Sequence, residues 1–433
     1  MSTPEAIARR DAISRREPIS RREVSRRDLL RGLAAGSVAV GLAACGIEAT
    51  PAPSPSATSS SPSGVPTPTA SPTPSPSLTP EPETPAPTSD PATLRRKISR
   101  LLMVGFRGFS IGPNDPITKA LEGGLGGVIL FDRDRVTKTR NIESPEQLSA
   151  LVAALREAAT ESLIVAIDQE GGRVARLKPA QGFPDTRSQA EIGATDDPDE
   201  AFEAGRSMAE TMADAGIDLD LAPVVDVNVN PTNPAIGALD RSFSADPSVV
   251  AAMAEAEIHG FHEFGIRAAI KHFPGLGSAR ANTDLDHVDV TKTWTQAELE
   301  PFETLIAAGL PDAVMTGHMV NDKLDPGVPA SLSAATVDGL LRTQLGWAGA
   351  VITDDLGGEA IASRYTRQEA VALALEAGND LLLFANQSVY VPDLAADLVE
   401  TVLGLVTSGR ISEARIDQSI ERLDVLAVGT AIE

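Results

Sequence analysis

The chain has 433 residues, 37 of them basic and 60 acidic, for a net charge of −23 at neutral pH. That balance repels polyphosphate and argues against a nucleic-acid partner, and the single cysteine excludes an internal disulfide framework and a Cys-rich zinc site. No apolar run reaches the roughly 18 residues that a membrane-spanning helix needs.

In chain order, residues 1–44 come first, with nine Arg against five acids. A basic segment followed by a short apolar run, here 32–44, has the layout of a secretory signal. Within it, Ser25-Arg26-Arg27-Asp28-Leu29-Leu30 resembles the twin-arginine export signal of bacteria. Leu42-Ala43-Ala44-Cys45 is similar to a lipobox, with Cys45 as the lipidated residue after cleavage. The expectation is export across the bacterial cytoplasmic membrane and anchoring on its outer face, since two or more acyl chains hold stably where one does not. Residues 45–92 form the next segment. Fourteen of the 32 prolines lie between Pro51 and Pro91, in a stretch without Lys, Arg or aromatic residues. Such a composition cannot bury enough apolar surface to fold. As an extended tether it reaches on the order of 120 Å, at about 3.1 Å per residue.

Residues 93–433 remain, a size at which β/α barrels form one domain. Apolar runs at 101–106, 127–131, 163–167, 217–222, 266–270, 313–316, 350–353 and 380–384 read as strands buried on both faces of a parallel sheet. Helical patterns separate them. Ser144-Pro145-Glu146-Gln147, Thr295–Glu298 and Thr366–Glu369 have the form of helix starts with capping boxes, and Gly309, Gly346 and Gly378 fit helix stops. Eight such units predict an α/β fold, a (β/α)₈ TIM-type barrel forming a single catalytic domain. Asp168, Lys271, His272, His318 and Asp354 each fall where a predicted strand ends, and Asp226 follows the fourth strand closely. In a barrel these ends converge on the C-terminal face, where active sites are built.

Four ordered segments carry a more specific signal. They are Asp168-Gln169-Glu170-Gly171-Gly172-Arg173 with Arg176, Leu221-Ala222-Pro223-Val224-Val225-Asp226 with Arg241, Lys271-His272-Phe273-Pro274-Gly275, and Ile352-Thr353-Asp354-Asp355-Leu356. Together they resemble the signatures of the family 3 glycoside hydrolases, and among these the single-domain β-N-acetylglucosaminidases, over roughly residues 93–428. The resemblance implies that Asp354 is the nucleophile of a retaining double displacement. It also implies that Asp168, Arg176 and Arg241 read sugar hydroxyls, and that Lys271 and His272 favour an N-acetyl substituent. His318 is either a further ligand contact or a hydrogen-bonding support behind the site. For Arg241 the plain alternative is a surface pair with Asp240 or Asp246. Asp355 reads as a helix cap, and His259 and His262 as one helix face and not a metal pair.

One departure stands out. The resemblance places the acid/base as a His, with an Asp two residues before it, in the loop after the fifth strand. Counting from Lys271, those positions hold Asp284 and Asn282, and the His between the two glycines is Leu276. Three readings stay open: Asp284 is itself the acid/base, His287 reaches in through a shifted loop, or efficient protonation is lost. The function expected is removal of terminal β-linked N-acetylglucosamine-type residues from a small oligosaccharide or cell-wall glycan fragment. The alternatives are a catalytically silent sugar-binding lipoprotein and a β-glucosidase-like specificity. No metal or organic cofactor is implied, and a monomer is expected.

Overall fold

The computed structural model describes residues 89–428 except Arg135 and Ser388. The export signal, Cys45 and almost all of the tether lie outside the described residues. The first element is the helix Pro91–Ser99, capped by Asp90, whose Oδ1 accepts from the Ala92 and Thr93 amides at 3.0 and 3.2 Å. Within the described residues this helix begins two positions ahead of the expected boundary at residue 93.

Eight strands follow: β1 (Leu102–Gly105), β2 (Gly127–Ile129), β3 (Ile164–Ile167), β4 (Leu219–Asp220), β5 (Arg267–Phe273), β6 (Ala313–Thr316), β7 (Ala350–Thr353) and β8 (Leu382–Phe384). Their order is β7-β6-β5-β4-β3-β2-β1-β8, and every pairing is parallel. A parallel bridge between Ile352 and Leu381 joins the two ends, which closes the (β/α)₈ barrel. Every residue of β1, β2, β3, β6, β7 and β8 is buried, as expected for strands with core on one side and helices on the other.

The strand ends differ from expectation in two informative places. β4 is cut to two residues because Pro223 follows within three positions and brings no amide to the ladder. β5 runs on to Phe273, with the Val225 amide donating to the Lys271 carbonyl at 2.8 Å. Lys271 and His272 thus sit within the strand and not just past it.

Helix starts vary in the same way. Ser144 Oγ accepts the Gln147 amide at 3.2 Å at the head of Pro145–Ala158, and Thr366 with Glu369 forms a full capping box before Arg367–Ala377, which ends on Gly378 at φ 109°. Thr295–Glu298 does not cap. Glu298 turns inward and accepts the Ser278 amide at 3.0 Å, leaving only a 3₁₀ turn, Gln296–Glu298. The connection after β6 is a π-helix, Ala335–Gln344. Below the barrel, buried Asp380 receives Arg342 at 2.6 Å and Arg422 at 3.0 Å, which ties β8 to the last helix, Glu413–Val428.

Candidate active site

At the C-terminal ends of the strands a cavity of about 530 Å³ opens to solvent. Its walls include Asp168, Glu170, Arg176, Arg241, Lys271, His272, Asn282, Asp284 and Asp354. One charged network makes its floor. Lys271, 2% exposed, places Nζ 2.7 Å from both the Asp168 and Glu170 carboxylates. Arg176 donates to the other Asp168 oxygen at 3.0 Å. Arg241 grips Glu170 through Nε and Nη2, both at 2.7 Å, the two-pronged geometry that guanidinium and carboxylate share. Asp240, the alternative partner for Arg241, instead receives Arg173 at 3.1 Å.

Burial by itself raises these carboxyl pKa values. The facing cations outweigh it: Lys271 and Arg176 hold Asp168 far below the usual carboxylate range, and Arg241 and Lys271 bring Glu170 down to about 2. Both acids are therefore ionised at any working pH, and Lys271 is held charged by the same pairs.

His272 joins this network to Asp226. Its Nδ1 lies 2.7 Å from Asp226 Oδ2, and its Nε2 lies 3.3 Å from Arg241 Nη2. A guanidinium can only donate, so Nε2 accepts and Nδ1 carries the proton toward Asp226. The other oxygen of Asp226 accepts from the Leu276 amide at 2.6 Å. That bond anchors the start of the loop after β5.

Asp354 follows β7 directly. Its amide donates to the Thr316 carbonyl at 2.9 Å and its Oδ1 accepts the Asp355 amide at 2.8 Å. Burial pushes its carboxyl up, but the neighbouring His318, the Asp355 amide and Lys271 bring it below its ordinary value, so it stands as a carboxylate in the cavity wall. Asp355 is pushed up to about 6 by burial and by the Asp354 charge. It does not cap a helix. Its Oδ1 accepts the Gly357 and Ala385 amides, both at 2.9 Å, and the next helix, Glu359–Ala362, begins behind Gly358 without a side-chain cap.

Two further candidates, each given with an alternative, lie away from the cavity. His318 is outside the cavity lining: Nδ1 meets Ser331 Oγ at 2.8 Å and Nε2 meets the Asp355 carbonyl at 2.9 Å. Both ring nitrogens are spent on protein groups, so it supports the Asp354 segment and offers no direct sugar contact. His287 is likewise outside the lining, half-buried, with its pKa lowered by burial and by Arg364. The loop instead brings Asn282, Thr283 and the exposed Asp284 to the cavity. Asn282 Oδ1 accepts the Asp284 amide at 2.9 Å, and the Thr283 carbonyl accepts the Ala360 amide at 3.2 Å. The loop bearing Asp284 thereby leans on the segment that follows Asp354. On the helix Pro247–His262, His262 pairs with Asp312 at 2.8 Å.

Sequence reasoning assigned no role to Glu170. A signal existed: Asp168 and Glu170 are two apart, and in extended backbone such residues point to one face. Asp132 was also missed. It lines the cavity and takes Lys178 at 2.7 Å.

With this geometry in place, the comparisons decide the family. The model of the glycosyl hydrolase family 3 N-terminal domain matches residues 93–426. The chain belongs to glycoside hydrolase family 3. Among its relatives, a β-hexosaminidase of Xylella fastidiosa is 38% identical over 313 residues, covering 70% of this chain and 87% of that protein. Another from Tolumonas auensis is 40% identical over 274 residues, covering 60% and 76%. Among solved structures, a family 3 β-N-acetylglucosaminidase from Paenibacillus superposes with a TM-score of 0.71 at 35% identity, over 78% of this chain and 64% of that one. A β-N-acetylhexosaminidase from Beutenbergia cavernae does so with a TM-score of 0.69 at 31% identity, over 78% and 98%. This family 3 chain thus carries the resemblance across its whole barrel, and the cavity described above lies within the matched residues.

Proposed function

We propose that this family 3 glycosidase removes terminal β-linked N-acetylglucosamine residues from cell-wall-derived glycan fragments by a retaining double displacement. The observation that carries this reading is Asp354, an ionised carboxylate in the wall of a cavity whose floor is a fixed set of charged donors and acceptors. Its oxygen attacks the anomeric carbon, and the bond to the leaving oxygen breaks as a glycosyl ester forms. Asp284 gives its proton to the departing oxygen. In the second half it takes a proton from water, which cleaves the ester and frees the sugar with its configuration retained.

The floor reads the sugar. Lys271 has three N–H donors, two of them spent on Asp168 and Glu170, so one is left for a hydroxyl. Asp168 keeps acceptor positions beyond those taken by Lys271 and Arg176. His272, fixed between Asp226 and Arg241, holds its ring in one orientation beside them.

Two aryl β-N-acetylglucosaminides test the roles separately, because an activated phenolate leaves with little protonation and a poor leaving group does not. Turnover of both, lost in Asp354→Ala, is the expected result. A second reading is favoured by Asn282 and Asp284 standing in place of the Asp-x-His dyad: a sugar-binding protein without efficient turnover. Sugar binding with no turnover of either substrate supports that reading and removes the first.

Export and lipid attachment at Cys45 belong to the same proposal, supported by the paired arginines and the small residues before Cys45. Incorporation of radiolabelled palmitate in cells, abolished by Cys45→Ser, is the expected outcome; equal labelling of the variant contradicts it. A monomer is proposed, with a single species near 45 kDa or below in solution as its test.

A further inference from the structure

A second cavity, of about 270 Å³, opens beside the first, and two features build the wall between them. Arg107 lines the second cavity and donates to both oxygens of Asp134, at 2.8 and 3.0 Å; Asp134 lines the first. The segment after β8 serves both in alternation, with Ala385 and Gln387 on the first cavity and Asn386 and Tyr390 on the second. That segment is pinned: Asn386, at φ 56°, donates to the Gly105 and Val391 carbonyls at 3.2 and 2.9 Å and accepts the Val391 amide at 2.9 Å.

The second cavity has the make-up of a ligand site, with apolar walls and a few polar groups at its edge. Phe106, Pro116 and Tyr390 supply wall, and Arg107, Ser110 and Asp115 supply polar edge. The Arg107 guanidinium stacks 4.2 Å from the centre of the Tyr390 ring, which fixes that ring and covers one of its faces. Its volume falls just below the range of drug-sized ligands, about 300–1,000 Å³, and so suits one ring. A pyranose has the matching chemistry: C–H bonds give it an apolar face, and its hydroxyls lie around the edge.

We propose that this cavity, set apart from the first by a wall, binds the third sugar ring of a glycan whose terminal residue occupies the first cavity. The proposal rests on the exo-glycosidase reading. The rest of the glycan leaves the first cavity on its solvent side, and the second cavity is separated from the first by the Arg107–Asp134 pair and one chain segment. The ring packs against Tyr390, and Arg107 and Ser110 meet its hydroxyls. The enzyme therefore distinguishes glycans by length as well as by terminal residue.

The test compares an aryl β-N-acetylglucosaminide with the β-1,4-linked di- and trisaccharides of N-acetylglucosamine on the full barrel. The expected result is a KM for the trisaccharide lower than that for the disaccharide by on the order of tenfold. Tyr390→Ala removes that gain, as does Ser110→Trp at the exposed rim, while KM and kcat for the aryl substrate and the disaccharide hold. Ser110→Trp answers the question even if Tyr390→Ala folds poorly. Calorimetry on Asp354→Ala gives the same comparison as dissociation constants, so a failure of turnover is distinguished from a failure of this site. No preference for the trisaccharide, a preference that survives both variants, or an equal loss on all three substrates overturns the proposal.

Discussion

Arg241 closes on Glu170 through two hydrogen bonds of 2.7 Å, and neither residue belongs to a strand. The pair joins the loop after β3 to the loop after β4 in the floor of the cavity, and Lys271 of β5 ties into it at 2.7 Å from Glu170. Three consecutive βα units are thereby locked in one ionic arrangement before any sugar arrives, which spares the bound state that ordering cost.

Removing one charge from this buried set leaves the others uncompensated. Glu170→Gln is expected to destabilise the barrel by about 3 kcal/mol and to lower kcat/KM by on the order of a hundredfold, since Arg241 and Lys271 lose a shared anchor. Denaturant unfolding and aryl-glycoside kinetics read the two effects. A variant with wild-type stability and kinetics contradicts the role given to Glu170.

Asp226 sets the tautomer of His272. In Asp226→Asn the amide oxygen remains under the Leu276 amide, so the NH₂ group faces His272 Nδ1. Nδ1 must then accept, and the proton moves to Nε2, against the donor Arg241. The expected outcome is a KM raised by about tenfold or more, with a nitrogen NMR signature of an Nε2–H imidazole. An unchanged tautomer contradicts the assignment.

His318 reaches no cavity surface, yet it spans Ser331 and the Asp355 carbonyl. His318→Ala is expected to lower kcat by roughly ten- to a hundredfold with little change in KM, because it loosens the segment that carries Asp354, the proposed nucleophile, and leaves the floor of the cavity in place. A change confined to KM contradicts this.

Glu298 gives the pH dependence of stability a definite sign. Burial pushes it from its ordinary 4.5 up to about 7. Between those values the native state holds the extra proton, so stability falls as pH rises through the window and is flat above it. The Glu170 contribution runs the other way: it is present above about 4.5 and is lost as pH falls toward 2. Glu298→Gln keeps an oxygen for the Ser278 amide and cannot ionise. It is expected to be more stable than wild type at pH 8, by up to about 3 kcal/mol, and to match it near pH 4.5. Parallel stability–pH curves for the two proteins contradict the role given to Glu298.

Much of the barrel was legible because strands buried on both faces leave continuous apolar runs, and all eight observed strands overlap the expected ones. Their ends were less so. The length of β5 depends on the Val225 amide reaching the Lys271 carbonyl, a contact between residues 46 apart that no local pattern records. Thr295–Glu298 has the local form of a cap, but tertiary structure claims Glu298 for the Ser278 amide. The charged types at strand ends were visible, whereas their partners were not: Arg241 chose Glu170 over the adjacent Asp240, and His318 was drawn to a backbone carbonyl. Between Asp284 and His287 the spacing left a choice, and the path of the loop brings Asp284 to the cavity and leaves His287 outside its lining.

The most direct measurement is mass spectrometry of the protein after reaction with a fluorinated N-acetylglucosaminyl fluoride, which forms the glycosyl-enzyme and slows its hydrolysis. A retaining mechanism through Asp354 predicts one added glycosyl unit on the peptide containing Asp354, absent in Asp354→Ala. An adduct on another carboxylate, or steady hydrolysis of the probe with no adduct and inversion at the anomeric carbon, contradicts it.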